Sequence, residues 1–286
     1  MANTISASLI LDTLAKVTKT TIGHKFAPFT AFTNDLSDDQ YVINQGQSLQ
    51  IPLVTAGATA QTNATSWESG DSTIANVPIT VANKSVSFHI TPLQMNNSVK
   101  LAQLMEKNVQ NFRNAVWDAA CGVFNGTHWT NFIEAQATFS STNLKTLWGG
   151  IARSDQRNVI LDATYYANFL PTSLTDIGAK AGMAGFEGFY LNSRWDGAGT
   201  NVVGFAGGPQ CAAFVSALPM YDDETKADIN ATPLTLEIAP GKTMTVLMST
   251  WLSRASRTRW ASLDVLFGAA KLDNTKGYLI KSGGGA

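Results

Sequence analysis

The chain contains few charged side chains. Lys, Arg, Asp and Glu together make up 14% of its 286 residues, and the formal net charge is −1, whereas ordinary soluble proteins carry about 25% charged residues. This balance argues against strong, sequence-independent nucleic-acid binding, which needs clustered Lys and Arg. Charge depletion is typical of surfaces that are buried between proteins. It is also compatible with a secreted β-rich protein whose surface is made of Thr and Asn.

Cysteines and long apolar runs are scarce as well. Cys121 and Cys211 lie far apart in the sequence, and we expect two buried thiols rather than a disulfide. No run of about 18 apolar residues is present, so no transmembrane helix is expected. Residues 1–20 lack the basic and apolar regions of a signal peptide.

Recognisable catalytic motifs are absent. The sequence contains no G-x-S-x-G, H-E-x-x-H or Walker A pattern, and His24, His89 and His128 do not have the spacing of metal ligands. We therefore expect no catalytic residue, no bound cofactor and no metal, and we interpret the protein as a structural one.

The strongest positive signal is an amphipathic helix over residues 97–124. Its apolar residues recur every three or four positions, which is the helical period. They are Leu101, Met105, Val109, Phe112, Val116, Ala120 and Val123. Asn97 or Ser98 can cap the start, and Asn125-Gly126 is expected to end the helix through a left-handed glycine. About seven turns make a rod of roughly 40 Å, longer than a typical globular helix.

Two further patterns precede this helix. Residues 6–19 predict a short amphipathic helix, and residues 22–32 predict an aromatic, extended arm that lies on the body of this chain or of a neighbour. Leu49, Ile51 and Leu53 alternate with polar residues, and the same alternation returns over residues 77–81 and 86–90. The polar residues 55–76 between them predict an extended hairpin, because long structureless loops are unusual inside compact domains.

The remainder of the sequence predicts mixed α and β structure. Residues 143–153 predict a helix, and residues 158–161 a buried strand followed by a helix that Asp162 caps. Residues 185–191, 201–205, 234–238, 244–251 and 263–270 predict strands, while residues 210–218 fit either a helix or a strand. The fold class expected from the whole pattern is α+β.

Two charged clusters are candidates for contacts with other molecules. Arg254, Arg257 and Arg259 can pair with carboxylates of this or another subunit, contact nucleic-acid phosphates, or lie solvated in a loop, because the planar guanidinium suits both anions. Residues 221–229 form an acidic loop. Its Asp222, Asp223 and Glu224 can bind a cation, pair with a basic partner, or remain solvated.

The tip of the expected hairpin contains one aromatic residue, Trp67, next to Glu68. Buried aromatic side chains dominate the energetics of many interfaces, so Trp67 is a candidate anchor on a neighbouring subunit. A tryptophan folded back on its own hairpin explains the sequence equally well.

The order of these segments resembles the major capsid proteins of tailed bacteriophages, which share the Hong Kong 97 fold. Residues 185–193 (GFEGFYLNS) resemble the family's G-F-x-V-Y-x-S-N strand, and residues 159–170 resemble the strand and helix before it. Residues 262–270 (SLDVLFGAA), followed by 277–280 (GYLI), resemble its closing strands. The N-terminal segment and the hairpin before the long helix agree in order.

The resemblance implies a role for each segment. Residues 1–45 would be an N-terminal arm, and residues 46–94 an extended loop that lies over a neighbouring subunit. Residues 95–150 would belong to a peripheral domain with the long helix as its spine. Residues 151–243 would form an axial domain around fivefold and quasi-sixfold axes, and residues 244–286 would return to the peripheral domain.

The resemblance also implies function and partners. The protein would be a virion component that self-assembles as pentamers and hexamers into an icosahedral shell around double-stranded DNA, after synthesis in the host cytoplasm. A portal and a separate scaffolding protein are expected partners, the latter because the segment before the hairpin is short. The DNA contact would be weak and non-specific, and no membrane partner is expected.

Some members of this family cross-link covalently through a Lys on the extended loop. Residues 55–75 contain no Lys, and Lys84 lies on the returning strand, so we expect no cross-link of that design. Two rival functions remain open for this sequence. One is an encapsulin-type nanocompartment shell, and the other is a β-rich adhesin or carbohydrate-binding module that exposes Trp129, Trp148 or Trp195.

Overall fold

The fold is described from a computed structural model of the chain. The structure describes residues 7–23, 25–33, 48–56, 73–91, 98–135, 139–151, 156–170, 185–192, 194, 201–220, 228–253 and 258–283. The helices are α1 (Ala7–Ile22), α2 (Ala27–Thr30), α3 (Ser98–Cys121), α4 (Ser141–Gly150) and α5 (Ala163–Ala167). The strands are β1 (Ser48–Ala56), β2 (Thr73–Thr80), β3 (Ala82–Ile90), β4 (Phe132–Ala135), β5 (Asn158–Leu161), β6 (Gly188–Leu191), β7 (Val202–Gly207), β8 (Ala212–Ala217), β9 (Asn230–Ala239), β10 (Lys242–Ser253), β11 (Thr258–Lys271) and β12 (Gly277–Ser282).

The first sheet has the strand order β3-β11-β10-β9, and β8 also pairs with β11. All of these pairs are antiparallel. The β9–β10 turn is at Pro240-Gly241, as the sequence predicts, and Gly241 adopts a positive φ of 71° that favours glycine. The predicted segment 263–270 is the middle of β11, a strand of 14 residues.

Helices α1 and α3 cover one face of this sheet. The helix α3 packs against β3 and β11, whereas α1 packs against α3, β9 and β10. Every residue of the predicted apolar stripe is buried. The six that lie on α3 share one side because of the 3.6-residue period, and Val123 follows the end of the helix. The predicted long helix is therefore confirmed.

The second sheet has the order β4-β12-β7-β5-β6. One face packs against α4 and α5 through an apolar cluster that includes Leu144, Leu161 and Phe169. The other face contributes Phe205 to the main core, where its ring lies 4.3 Å from that of Phe124 and 5.2 Å from that of Phe32, measured between centroids. The two sheets therefore share one hydrophobic core.

Strands β1 and β2 form a separate two-stranded antiparallel ribbon with Leu49 opposite Ile79. At its base, Ile51, Ile79 and Val81 pack against Leu266 and the small side chains of β8. The ribbon can approach the body this closely because position 268 is a glycine: a Cβ there would lie 2.8 Å from Ile79 Cγ2. The predicted extended hairpin is thus confirmed for the strands that flank residues 57–72, which lie outside the described residues.

Two expectations need correction. Residues 25–33 are not extended: they form turns around α2, and their Phe26, Phe29 and Phe32 are buried in this chain's own core. Gly126 does not supply a left-handed residue after α3. Instead the Asn125 side chain closes the turn, since its Oδ1 accepts from the backbone N–H groups of Thr127 and His128 at 2.9 and 3.0 Å.

The segment 210–218, for which the sequence fits either a helix or a strand, contains the strand β8.

Two strands belong to a different sheet from most of the segment in which the resemblance places them. Strand β12, from the C-terminal segment, lies in the second sheet between β4 and β7, and β9, from the segment 151–243, lies in the first sheet beside β10.

Candidate assembly surfaces

The ribbon leaves most of its side chains in solvent. On β2, only Ile79 is buried among residues 73–80, and Ile74 exposes 61% of its surface. Most of this β-branched apolar side chain lies in solvent, and exposed apolar side chains of this kind mark contact sites when they cluster. Leu49 and Leu53 of β1 are half-buried. Trp67 and Glu68, the contact candidates predicted from the sequence, lie outside the described residues, and no sequence pattern singled out Ile74.

The end of the β10–β11 hairpin carries a second candidate surface. Trp251 and Trp260 are opposite each other in the register, and their rings stack at 6.2 Å with an angle of 9° between planes. The His89 ring of β3 lies 5.6 Å from that of Trp260, and Leu252 at the end of β10 is 55% exposed. Cross-strand aromatic pairs stiffen a hairpin, so this pair holds the hairpin end in one geometry.

Arg259, from the predicted basic cluster, lies next to this pair on β11, opposite Ile90 of β3, and is half-buried. The other members, Arg254 and Arg257, lie outside the described residues. The same holds for Asp222, Asp223 and Glu224. The roles of all these residues as intersubunit contacts stay predictions.

A buried polar cluster joins the C-terminal half of α3 to the end of β6. Asn192, fully buried, accepts hydrogen bonds through Oδ1 from Trp117 Nε1 at 2.8 Å and from the backbone N–H of Arg194 at 2.9 Å. Its Nδ2 donates to Cys121 Sγ at 3.2 Å. Since the Asn192 backbone N–H also donates to the Leu161 carbonyl at 2.7 Å, one residue ties the long helix to the second sheet.

An ion pair lies beside this cluster. Arg194 binds Asp118 of α3 through two hydrogen bonds of 2.6 and 3.0 Å, and this geometry raises the pKa of the Arg194 guanidinium. The two side chains are 39% and 53% exposed. Exposed ion pairs contribute at most about 1 kcal/mol to the free energy of unfolding. The hydrogen bonds of the buried Asn192 therefore stabilise this contact more than the ion pair does. Sequence reasoning found the segment that contains Asn192 but not this role, because Trp117 and Asn192 are distant in sequence.

The two cysteines are free thiols, as the sequence predicts. Burial raises the pKa of Cys121 to about 12 and also raises that of Cys211. Both groups therefore remain protonated, and unreactive, over the physiological pH range.

This protonation predicts slow chemical modification. With a pKa near 12 instead of the ordinary 9.0, the thiolate fraction of Cys121 at pH 8 is lower by about three orders of magnitude. We expect Ellman's reagent to react with the folded protein about a thousandfold more slowly than with the same chain in 6 M guanidinium. Rapid reaction of Cys121 in the folded protein would contradict its position beside the buried Asn192, and rapid reaction of Cys211 would contradict its burial just before β8.

In the described residues, no group of three or more His, Cys, Asp or Glu side chains could hold a metal ion. None of the helices in the described part of the chain is long and apolar enough to cross a membrane. Of the tryptophans that a carbohydrate-binding module would expose, Trp129 is only 1% exposed, Trp148 is 39% exposed, and Trp195 lies outside the described residues.

Three features define the fold class: a long helix and a second helix on a five-stranded sheet, a second sheet that shares their core, and a projecting two-stranded ribbon. It is the Hong Kong 97 fold of tailed-phage capsid proteins, and the α+β fold class predicted from the sequence is confirmed. No protein-family model and no curated protein matches this sequence.

The structural similarity extends over nearly the whole chain. A virus-like particle from Pyrococcus furiosus is similar with a TM-score of 0.54 at 9% identity, covering 96% of both chains. The capsid of an empty GTA particle gives 0.51 at 11% identity, covering 91% of this chain and 90% of that one. A structure from Gordonia phage Cozz gives 0.50 at 11% identity, with coverages of 92% and 88%.

Proposed function

We propose that this chain is a major capsid protein, copies of which form the icosahedral shell around the double-stranded DNA genome of a tailed bacteriophage. The observation that carries the proposal is the match of fold over nine-tenths or more of this chain to the virus-like particle and the GTA capsid. The exposed ribbon supports it independently, because its solvent-facing strands need a partner surface. The protein would have no catalytic activity.

The mechanism of such a protein is assembly. Each subunit makes several modest contacts with its neighbours, and in a closed shell a subunit can leave only by breaking all of them together, so weak contacts add up to a stable particle. The low charge content favours this arrangement, because large areas can be buried without desolvating ions.

The segment roles carry over as part of this proposal. The first sheet with α1 and α3 would be the core of the peripheral domain, and the second sheet with α4 and α5 that of the axial domain. The ribbon would be the extended loop, with Trp67 and Glu68 at its tip as contact candidates. Asp222, Asp223, Glu224, Arg254, Arg257 and Arg259 would be candidates for contacts between subunits.

The proposed partners follow the same scheme. Copies of the chain would form pentamers and hexamers, a portal would occupy one vertex, and a separate scaffolding protein would set the size of the shell. Packaged DNA would be held by weak, non-specific contacts. The protein would reach the virion after assembly in the host cytoplasm.

Size-exclusion chromatography with negative-stain microscopy of the purified protein tests this function. We expect closed particles of megadalton mass, which contain DNA when purified from virions. Particles that contain a cargo enzyme instead of DNA would favour the nanocompartment shell. A monomer that stays soluble at high concentration would contradict both.

The absence of Lys from residues 55–75 leads to a separate prediction. In the structure, Lys84 lies on β3 opposite Val265 in the body of the protein, not on the ribbon. Particles boiled in SDS should therefore run as a single band of about 31 kDa, in line with the chain mass of 30.6 kDa. A ladder of covalent oligomers would show that another lysine forms the cross-link.

A further inference from the structure

The second sheet has an exposed aromatic side chain near each of its two edges. In the order β4-β12-β7-β5-β6, the edge strands are β4 and β6. Phe132 of β4 is 49% exposed. Trp148 of α4 is 39% exposed, and its Nε1 donates to the carbonyl of Gly185, shortly before β6, at 3.0 Å. A cation lies over each ring, with Arg157 Cζ 4.0 Å from the Trp148 centroid and Lys281 Nζ 4.1 Å from that of Phe132.

The guanidinium of Arg157 has few acceptors in its own subunit. Arg157 directly precedes β5 and is half-buried, and its carbonyl accepts from the Glu187 backbone N–H at 2.9 Å, so it lies beside the start of β6. Within the described part of the chain, its side chain makes one hydrogen bond, from Nη2 to the Ile151 carbonyl at 3.5 Å, and Nε is buried without an acceptor. No carboxylate of a described residue lies within 4.0 Å of it. A planar guanidinium stacked on an aromatic ring is weakly hydrated and suits a carboxylate from outside the subunit.

The opposite edge of the same sheet presents such a carboxylate. Glu134 is exposed and lies on the same face of β4 as Phe132, because side chains alternate along a strand. Its register partner on β12 is Lys281, yet no cation of a described residue lies within 4.0 Å of the Glu134 carboxylate. The two edges are therefore complementary in charge, and each adds an exposed aromatic ring.

We propose that these two edges bind each other in neighbouring copies of the chain. Arg157 of one copy pairs with Glu134 of the next, and Trp148 packs against Phe132. This inference rests on the proposed shell function and adds to it which side chains join adjacent subunits of a ring. The contact is heterologous, since two different edges meet, and such contacts close into a ring when the rotation between subunits allows it. Tryptophan and arginine are enriched among the residues that dominate interface energetics.

Charge reversal tests the pairing. Glu134→Arg places a second cation opposite Arg157, and Arg157→Glu places a second carboxylate opposite Glu134. Each variant alone should reduce the yield of particles by about tenfold or more, because like charges in contact oppose association. The double variant restores opposite charges and should recover most of the yield. Glu106→Arg, the same reversal at an exposed position of α3, is the matched control and should have little effect.

Cross-linking tests the same contact without reversing a charge. Gln156→Cys places a thiol beside Arg157, and Glu134→Cys places one at the opposite edge, both at exposed positions. The natural Cys121 and Cys211 remain protonated and unreactive. A short bis-maleimide applied to particles of the double-cysteine variant should give a ladder in SDS that ends at pentamers and hexamers. Each single-cysteine variant should run as a monomer, because like edges do not meet.

The possible results separate this contact from the shell function. Normal particle yields from both charge reversals, with no ladder from the double-cysteine variant, would overturn the contact while the shell function stands. Covalent dimers from a single-cysteine variant would also overturn it, since they would show that like edges meet. If Arg157→Glu fails to fold, as judged by urea unfolding, Glu134→Arg and the ladder decide. A natural chain that forms no particles would remove the shell function itself.

Discussion

Shortening the ribbon should abolish particle formation and leave the subunit folded. In this variant, Asn-Gly replaces residues 53–75, so that a tight turn joins Pro52 to Asn76, which are opposite each other in the ribbon. The anchoring residues Ile51 and Ile79 remain, and a shorter loop costs less closure entropy. We expect the yield of megadalton particles to fall at least a hundredfold in size-exclusion chromatography, while the free energy of unfolding changes by only about 1 kcal/mol.

A matched pair of point variants distinguishes the effect of the ribbon's length on particle formation from the effect of its surface. Ile74→Lys places a charge on the exposed apolar position near the ribbon tip, and Gln50→Lys places the same charge on an exposed position at its base. The first should reduce particle yield by about tenfold or more, since an unpaired charge is costly to bury, and the second should have little effect. Shells of normal size from the shortened chain would show that the ribbon is not an assembly element.

Removing the buried amide at position 192 should have the largest effect on the folding of the subunit itself. Asn192→Ala deprives Trp117 Nε1 and the backbone N–H of Arg194 of their acceptor, and a buried donor without a partner costs about 1 to 3 kcal/mol. With two donors affected, we expect a loss of about 2 to 4 kcal/mol in urea unfolding. The ribbon-shortened chain is the suitable background, because it should stay monomeric.

The neighbouring ion pair provides the control. Arg194→Gln removes the bond to Asp118 but leaves the Asn192 contacts intact, and an exposed pair of this kind is worth at most about 1 kcal/mol. If Asn192→Ala lowers the free energy of unfolding by no more than Arg194→Gln does, the buried cluster does not stabilise the packing of α3 on the second sheet.

The sequence predicted those elements whose own periodicity decides their structure. Seven residues at helical spacing placed α3, and alternation placed β1, β2, β3, β9 and β10, because each buries one face against the rest of the molecule. The strand β5, with all four residues buried, was found because a short apolar run is followed by the helix cap Asp162, whose side chain accepts from the Tyr165 N–H.

The features that the sequence did not predict depend on contacts between distant segments. The sequence predicted an arm at Phe26, Phe29 and Phe32, because no other residue of that segment can bury these side chains. In the structure, they are buried in the core that α3 and β7 form. The role of Asn192 depends on Trp117, 75 residues earlier in the chain.

The most direct measurement is a cryo-electron microscopy reconstruction of purified particles at a resolution that shows side chains. The account predicts a closed icosahedral shell in which the ribbon of each subunit lies on a neighbour, with Ile74 covered. A solitary subunit, or a shell in which Thr73–Thr80 touches only its own chain, would contradict it.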